Sequence, residues 1–216
     1  MVDASAVRGL YVITDTTVNH DDELLSMVRQ ALEGGAAVVQ YRDKSDAHER
    51  RRREAEALLA LCRQYRALFV INDDVELAAA IGAPAVHLGR DDDDPARARA
   101  RLGSHVVIGV SCYGSLERAD QLAAAGADYL AFGSVFPSPT KPEAVPLPLA
   151  TLAVAAERYR QPLVAIGGIT PDNAGPVVAA GVDAVAVISG VFAAPDPRLA
   201  AARIADLFDS GAAGGA

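Results

Sequence analysis

Short runs of β-branched and other apolar residues alternate with helix-length stretches eight times along the chain, and few architectures accept that pattern. The runs are Leu10–Thr14, Val38–Arg42, Leu68–Asn72, Ala85–Leu88, Val106–Val110, Tyr129–Gly133, Leu163–Ile166 and Ala184–Ile188. Amphipathic stretches such as Glu49–Tyr65, Leu116–Ala125 and Leu147–Tyr159 separate them. Strands of this kind joined by crossover helices run parallel. Eight such units within 216 residues suit a closed barrel better than an open doubly wound sheet. We therefore expect an α/β protein, a single parallel (β/α)8 TIM barrel over residues 1–209, with a flexible tail from Ser210 to Ala216.

A weak internal repeat agrees. Gly35-Ala36-Ala37-Val38, Gly82-Ala83-Pro84-Ala85, Gly126-Ala127-Asp128-Tyr129 and Gly181-Val182-Asp183-Ala184 each lead into an even-numbered strand. A glycine there can end the preceding helix in the left-handed conformation.

Charge narrows the choice of partner. A net charge of −8 repels nucleic acid and anionic membranes, so we expect neither. Arg50-Arg51-Arg52-Arg53 sits among Glu49, Glu54 and Glu56 and reads as a solvated helix face with internal ion pairs. Two cysteines, Cys62 in a helical stretch and Cys112 in a loop, make neither a disulfide framework nor a zinc site. No signal peptide and no apolar stretch of spanning length is visible, and we expect a cytoplasmic protein. Self-association stays open.

Barrel enzymes carry their chemistry on the loops that follow the strands. Those positions hold Gln40-Tyr41-Arg42-Asp43-Lys44, Asn72-Asp73-Asp74, His87-Leu88-Gly89-Arg90-Asp91-Asp92, Ser111, Gly167-Gly168-Ile169-Thr170 and Ile188-Ser189-Gly190. After the sixth strand runs a loop with five prolines between Pro137 and Pro148, which excludes helix and ladder; we expect a lid. Only two of the 20 basic residues are lysine, Lys44 and Lys141, and both fall in these loops. A lysine is a compact charge suited to phosphate oxygens. Gly167-Gly168 and Ser189-Gly190 suit a phosphate site on the last two loops. Asp73 and the run Asp91-Asp92-Asp93-Asp94 suit Mg2+ held jointly with diphosphate oxygens. Asp94, standing before Pro95, reads as a helix cap, and His87 as a packed or hydrogen-bonded residue.

Taken in order, these segments, together with Gly109-Val110-Ser111, Pro137-Ser138-Pro139-Thr140-Lys141 and Val187-Ile188-Ser189, resemble the thiamine-phosphate synthase (thiamine-phosphate pyrophosphorylase) family from Leu10 to about Phe208. The resemblance implies a Mg2+-dependent transferase of thiamine biosynthesis. It would condense hydroxymethylpyrimidine diphosphate with a thiazole phosphate, carboxylated or plain, through a dissociative pyrimidine-cation route. It implies that Gln40, Arg42, Lys44, Asn72, Ser111 and Lys141 hold the pyrimidine diphosphate, with Arg42, Lys44 and Lys141 assisting the chemistry. Tyr41, Asp43 and Pro139 belong to the same substrate-binding segments. Asp73 and Asp92 would ligate Mg2+; Ser138 and Thr140 would contact the thiazole, and Gly168, Ile188 and Ser189 its phosphate.

The chain departs from the family pattern in three places: Arg90 replaces a usual glutamine, Ser138 an often-found threonine, and the pair Cys112-Tyr113 one that often includes histidine. A thiazole tautomerase on the same barrel is the nearest alternative, and the aspartates at 73 and 92 argue against it. A sugar-phosphate epimerase would need a poised base, and none stands out. A catalytically silent binding barrel would not need Lys44, Asp73, Asp92 and Lys141 together.

Overall fold

The computed structural model describes residues 3–16, 23–90, 94–137 and 146–212. Its strands are β1 (Gly9–Ile13), β2 (Ala36–Tyr41), β3 (Leu68–Asn72), β4 (Ala85–Leu88), β5 (Val107–Tyr113), β6 (Tyr129–Gly133), β7 (Leu163–Ile166) and β8 (Ala184–Val187). Between them run α1 (Leu24–Glu33), α2 (His48–Tyr65), α3 (Val75–Ile81), α4 (Pro95–Leu102), α5 (Leu116–Ala124), α6 (Leu149–Arg158) and α7 (Ala174–Ala179). A single turn, α8 (Ser189–Phe192), and a long helix, α9 (Pro197–Ala212), complete the chain. Neighbouring strands pair in parallel all the way round, and β1 closes on β8 through Gly9↔Ala184 to Val12↔Val187. The (β/α)8 barrel is therefore present. Among the described residues no helix is long and apolar enough to cross a membrane.

Both faces of every strand are buried, which is why the strands read as unbroken apolar runs. Alternate residues divide between two cores. Tyr11, Ile13, Val38, Val70, Ala85, Val107, Tyr129, Val164 and Ala186 pack inside the barrel. Leu10, Val12, Val39, Phe69, Ile71, Val86, Ile108, Leu130 and Phe132 pack outward against the helices. At Gly109 an added Cβ would lie 1.8 Å from the Tyr129 ring; that glycine makes room for one of the two tyrosines in the lumen.

The repeat before the even strands has a structural meaning. Gly35, Gly82, Gly126 and Gly181 all take positive φ. In its last two copies the aspartate spans to the preceding strand: Asp128 accepts from the Ile108 N–H at 2.7 Å and Asp183 from the Leu163 N–H at 2.8 Å. Asp94 caps α4 as expected, accepting from the Ala96 N–H.

Three expectations need revision. The fifth strand runs on to Tyr113, with a register irregularity between Ser111 and Tyr113, so Cys112 lies in a strand and not in a loop. Both thiols are buried, and burial pushes each up to about 12. The helix α9 continues to Ala212, past the expected start of the tail at Ser210, since a helix end tolerates a glycine at a cost of about 1 kcal/mol. The arginine run is also less solvated than its composition suggests: Arg50 reaches Asp43 and Arg51 reaches Asp74, tying α2 to the loops after β2 and β3.

Candidate active site

A cavity of about 900 Å³ opens where the strands end. Its walls include Gln40, Arg42, Lys44, Asn72, Asp73, Ser111, Gly168, Ile188 and Ser189, nine of the residues singled out in the sequence. Asp92, Ser138, Pro139, Thr140 and Lys141 lie outside the described residues.

The wall formed by β2 to β5 is built from side chains. Strand periodicity sends Gln40, Arg42 and Lys44 to the cavity and Tyr41 and Asp43 away from it. Tyr41 donates to Glu54 on α2 at 2.6 Å, and Asp43 binds Arg50 at 2.7 Å. Among the residues expected at the substrate, Tyr41 and Asp43 do not line the cavity; they anchor the strand end from behind. Burial raises the Asp43 carboxyl, but hydrogen bonds from Ser45 and the Arg50 charge outweigh it and hold the group below its ordinary value. On the cavity side Arg42 is fixed twice. Its guanidinium meets the buried Asp15 at 2.6 Å, and its N–H donates to Thr14 Oγ1 at 3.0 Å. Lys44 Nζ lies 3.0 Å from Asp73 Oδ2, which also accepts from Asn72 Nδ2 at 2.6 Å. Asp73 holds positive φ, a turn that lets Asp74 face away and cap α3 through the Leu77 N–H.

The opposite wall, after β7 and β8, is built from backbone. Gly167 and Gly168 both take positive φ, and an added Cβ would fall 2.0 Å from Ser134 Oγ or 2.4 Å from the Pro137 carbonyl. The Val135 and Phe136 N–H groups donate to the Ile166 and Gly167 carbonyls. These glycines therefore let the segment after β6 lie directly on the β7 loop. Ser189 and Gly190 open the short turn α8, whose first N–H groups lack partners within the turn. A loop pair ending in such an extra turn is the usual phosphate cradle of these barrels.

Sequence reasoning missed several residues of the floor. Gln40 Nε2 donates to Tyr11 OH at 2.6 Å, Tyr11 OH lies 3.0 Å from Tyr129 OH, and Tyr129 OH lies 2.9 Å from His87 Nδ1. His87 Nε2 then lies 2.9 Å from Ser111 Oγ. Burial pushes both phenols above their ordinary range, so they stay neutral hydrogen-bonding groups. The two tyrosines looked like core residues because they sit mid-strand among aliphatics. Asp15, directly after β1, carried a usable signal, a carboxylate at a strand's carboxyl end. At the rim the Arg90 guanidinium stacks over the Tyr113 ring, 4.5 Å from its centre.

Comparison with known proteins fits this geometry. Residues 10–191 match the family described as thiamine monophosphate synthase. The thiamine-phosphate synthase of Acidithiobacillus ferrooxidans is 50% identical over 211 residues, covering 96% of this chain and 97% of that one. That of Chromobacterium violaceum is 53% identical over 202 residues, covering 94% and 97%. The solved thiamine phosphate pyrophosphorylase from Pyrococcus furiosus superposes with a TM-score of 0.87 at 38% identity, covering 96% and 98%. The chain belongs to the thiamine monophosphate synthase family.

Proposed function

We propose that this chain, a thiamine-phosphate synthase, joins hydroxymethylpyrimidine diphosphate to a thiazole phosphate in the barrel-mouth cavity, with Mg2+ and by early departure of the diphosphate. The observation that carries the reading is one cavity with two differently built walls. The cationic wall with Arg42 and Lys44 suits a diphosphate, and the glycine wall with Gly168 and Ser189 suits a monophosphate. The bond from the methylene carbon to the diphosphate oxygen breaks and its electron pair leaves with the diphosphate. The thiazole nitrogen then supplies the pair for the new carbon–nitrogen bond.

Arg42, held rigid by Asp15 and Thr14, and Lys44 neutralise the charge that develops on the leaving group. The electrons come from the thiazole, so the scheme requires no protein nucleophile and no strong base. Asp73 offers carboxylate oxygens at the cavity wall, the donor type a hard cation takes. Asp73, with Asp92, would hold the metal. Bound Mg2+ would add charge neutralisation at the departing diphosphate. Phosphorylated substrates of this charge do not cross membranes unaided, which supports a cytoplasmic reaction.

The test is direct. Purified protein with both substrates and Mg2+ should release thiamine phosphate and pyrophosphate in equal amounts, and leaving out either substrate, or chelating the metal, should stop it. Isomerisation of the thiazole compound alone, without coupling, would replace this reading with the tautomerase one.

A further inference from the structure

The hydrogen-bond chain beneath the cavity crosses five strands, from Gln40 on β2 through Tyr11 on β1, Tyr129 on β6 and His87 on β4 to Ser111 on β5. Each inner link has one proton to give and can also accept, so the geometry admits a relay that runs in one sense from end to end. Gln40 donates to Tyr11 through Nε2. In such a relay the proton of Tyr11 points to Tyr129, although either hydroxyl of that pair could donate, and the proton of Tyr129 points to His87 Nδ1. The imidazole would then carry its proton on Nε2 and donate to Ser111 Oγ, leaving the serine hydroxyl proton for the cavity.

We propose that Tyr11, Tyr129 and His87 are positioning residues that fix the hydrogen-bonding polarity of the pyrimidine end of the site. Gln40 presents its amide oxygen as acceptor, and Ser111 presents its hydroxyl as donor. The complementary ligand turns an amino group to Gln40 and a ring nitrogen or phosphate oxygen to Ser111. Two further observations support a built device. The phenols are fully buried and held neutral, so neither supplies a charge that would break the sequence of donors. Gly109, where any side chain would meet the Tyr129 ring, keeps the central link in place. The inference rests on the reading of Gln40 and Ser111 as ligand contacts, but its first test needs no ligand.

The chain contains four histidines, so ¹⁵N correlation spectra of histidine-labelled, substrate-free protein resolve the tautomer of His87, assigned with His87→Gln. The proton should reside on Nε2, with Nδ1 unprotonated. A proton on Nδ1 would make His87 the donor to Tyr129 and overturn the proposal, whatever the enzyme makes. The second test is kinetic. Tyr129→Phe keeps the ring and cuts the middle of the relay. It should raise KM for the pyrimidine diphosphate about five- to tenfold, the scale of a lost buried hydrogen bond, and leave KM for the thiazole phosphate unchanged. Tyr11→Phe should do the same, and the double variant should be no worse than either single one. Additive losses, or equal shifts in both KM values, would reduce the tyrosines to packing residues.

Discussion

The two walls of the cavity are built by opposite means. From β2 to β5 the wall is a set of charged and amide side chains held by two ion pairs, Arg42 on Asp15 and Lys44 on Asp73, and by the hydrogen bond from Asn72 to Asp73. From β7 to β8 it is backbone, and its glycines are required first by close packing on the segment Ser134–Pro137. The first wall can lose a side chain and keep its shape. The second cannot gain one. Function and stability should therefore separate at the first wall and travel together at the second.

The sharpest expression of that contrast is Lys44→Ala. The side chain is 62% exposed and its pair with Asp73 is open to solvent, so the fold should scarcely notice its loss. Loss of a cation at the leaving diphosphate should instead lower kcat/KM by about a hundredfold, near 3 kcal/mol. Thermal melting beside steady-state kinetics would show the split.

Gly167→Ala should behave differently. Its positive φ and the 2.0 Å approach to Ser134 Oγ put the cost at about 2 kcal/mol of stability, or roughly 4–8 °C in Tm for a chain of this length. Activity should fall at temperatures well below the new Tm, because the segment after β6 is displaced with it. A variant with wild-type Tm would show that the packing at this wall is dispensable.

Asp43→Asn probes the boundary of the first wall from behind. Neither KM should move, because Asp43 faces α2. Its lowered pKa means the folded state holds the proton less tightly than the unfolded one. That contribution to stability is complete above the ordinary aspartate value and fades as pH falls through the lowered folded value. The variant should lose stability at neutral pH and show a flatter acid limb; a changed substrate KM would return Asp43 to the site.

The smallest effect belongs to Arg90→Gln. Held over Tyr113 at the rim, Arg90 should contribute a two- to threefold gain in diphosphate affinity at low salt that disappears at high salt. Titration at two ionic strengths would measure it, and equal affinity at both would leave Arg90 with a packing role only.

Much of this was legible before the structure. Strands buried on both faces give continuous apolar runs, so all eight could be read to within a few residues. The exception, β5, ends in Ser111-Cys112-Tyr113, polar enough to look like a loop, and only pairing with β6 reveals the strand. In the site, Gln40-Tyr41-Arg42-Asp43-Lys44 reads as one polar block in sequence, although period-two alternation assigns Tyr41 and Asp43 to the opposite face. The floor was hidden for a deeper reason. A tyrosine in a lumen and a tyrosine in a core look alike in sequence, and only the partners of its hydroxyl separate them. Gly167 and Gly168 follow β7 at the cavity wall, but their packing against Ser134–Pro137 depends on a contact between two loops that local sequence does not record.

The division of labour between the walls is the central claim, and one set of two-substrate kinetics tests it most directly. KM for each substrate should be measured in wild type, Lys44→Ala and Ser189→Ala. Lys44→Ala should raise KM for the pyrimidine diphosphate about tenfold, the scale of a lost charge-assisted hydrogen bond, and leave the thiazole phosphate unaffected. Ser189→Ala should show the reverse pattern, with a smaller rise confined to the thiazole phosphate. If both KM values rise together in either variant, the walls do not serve separate substrates and the account fails.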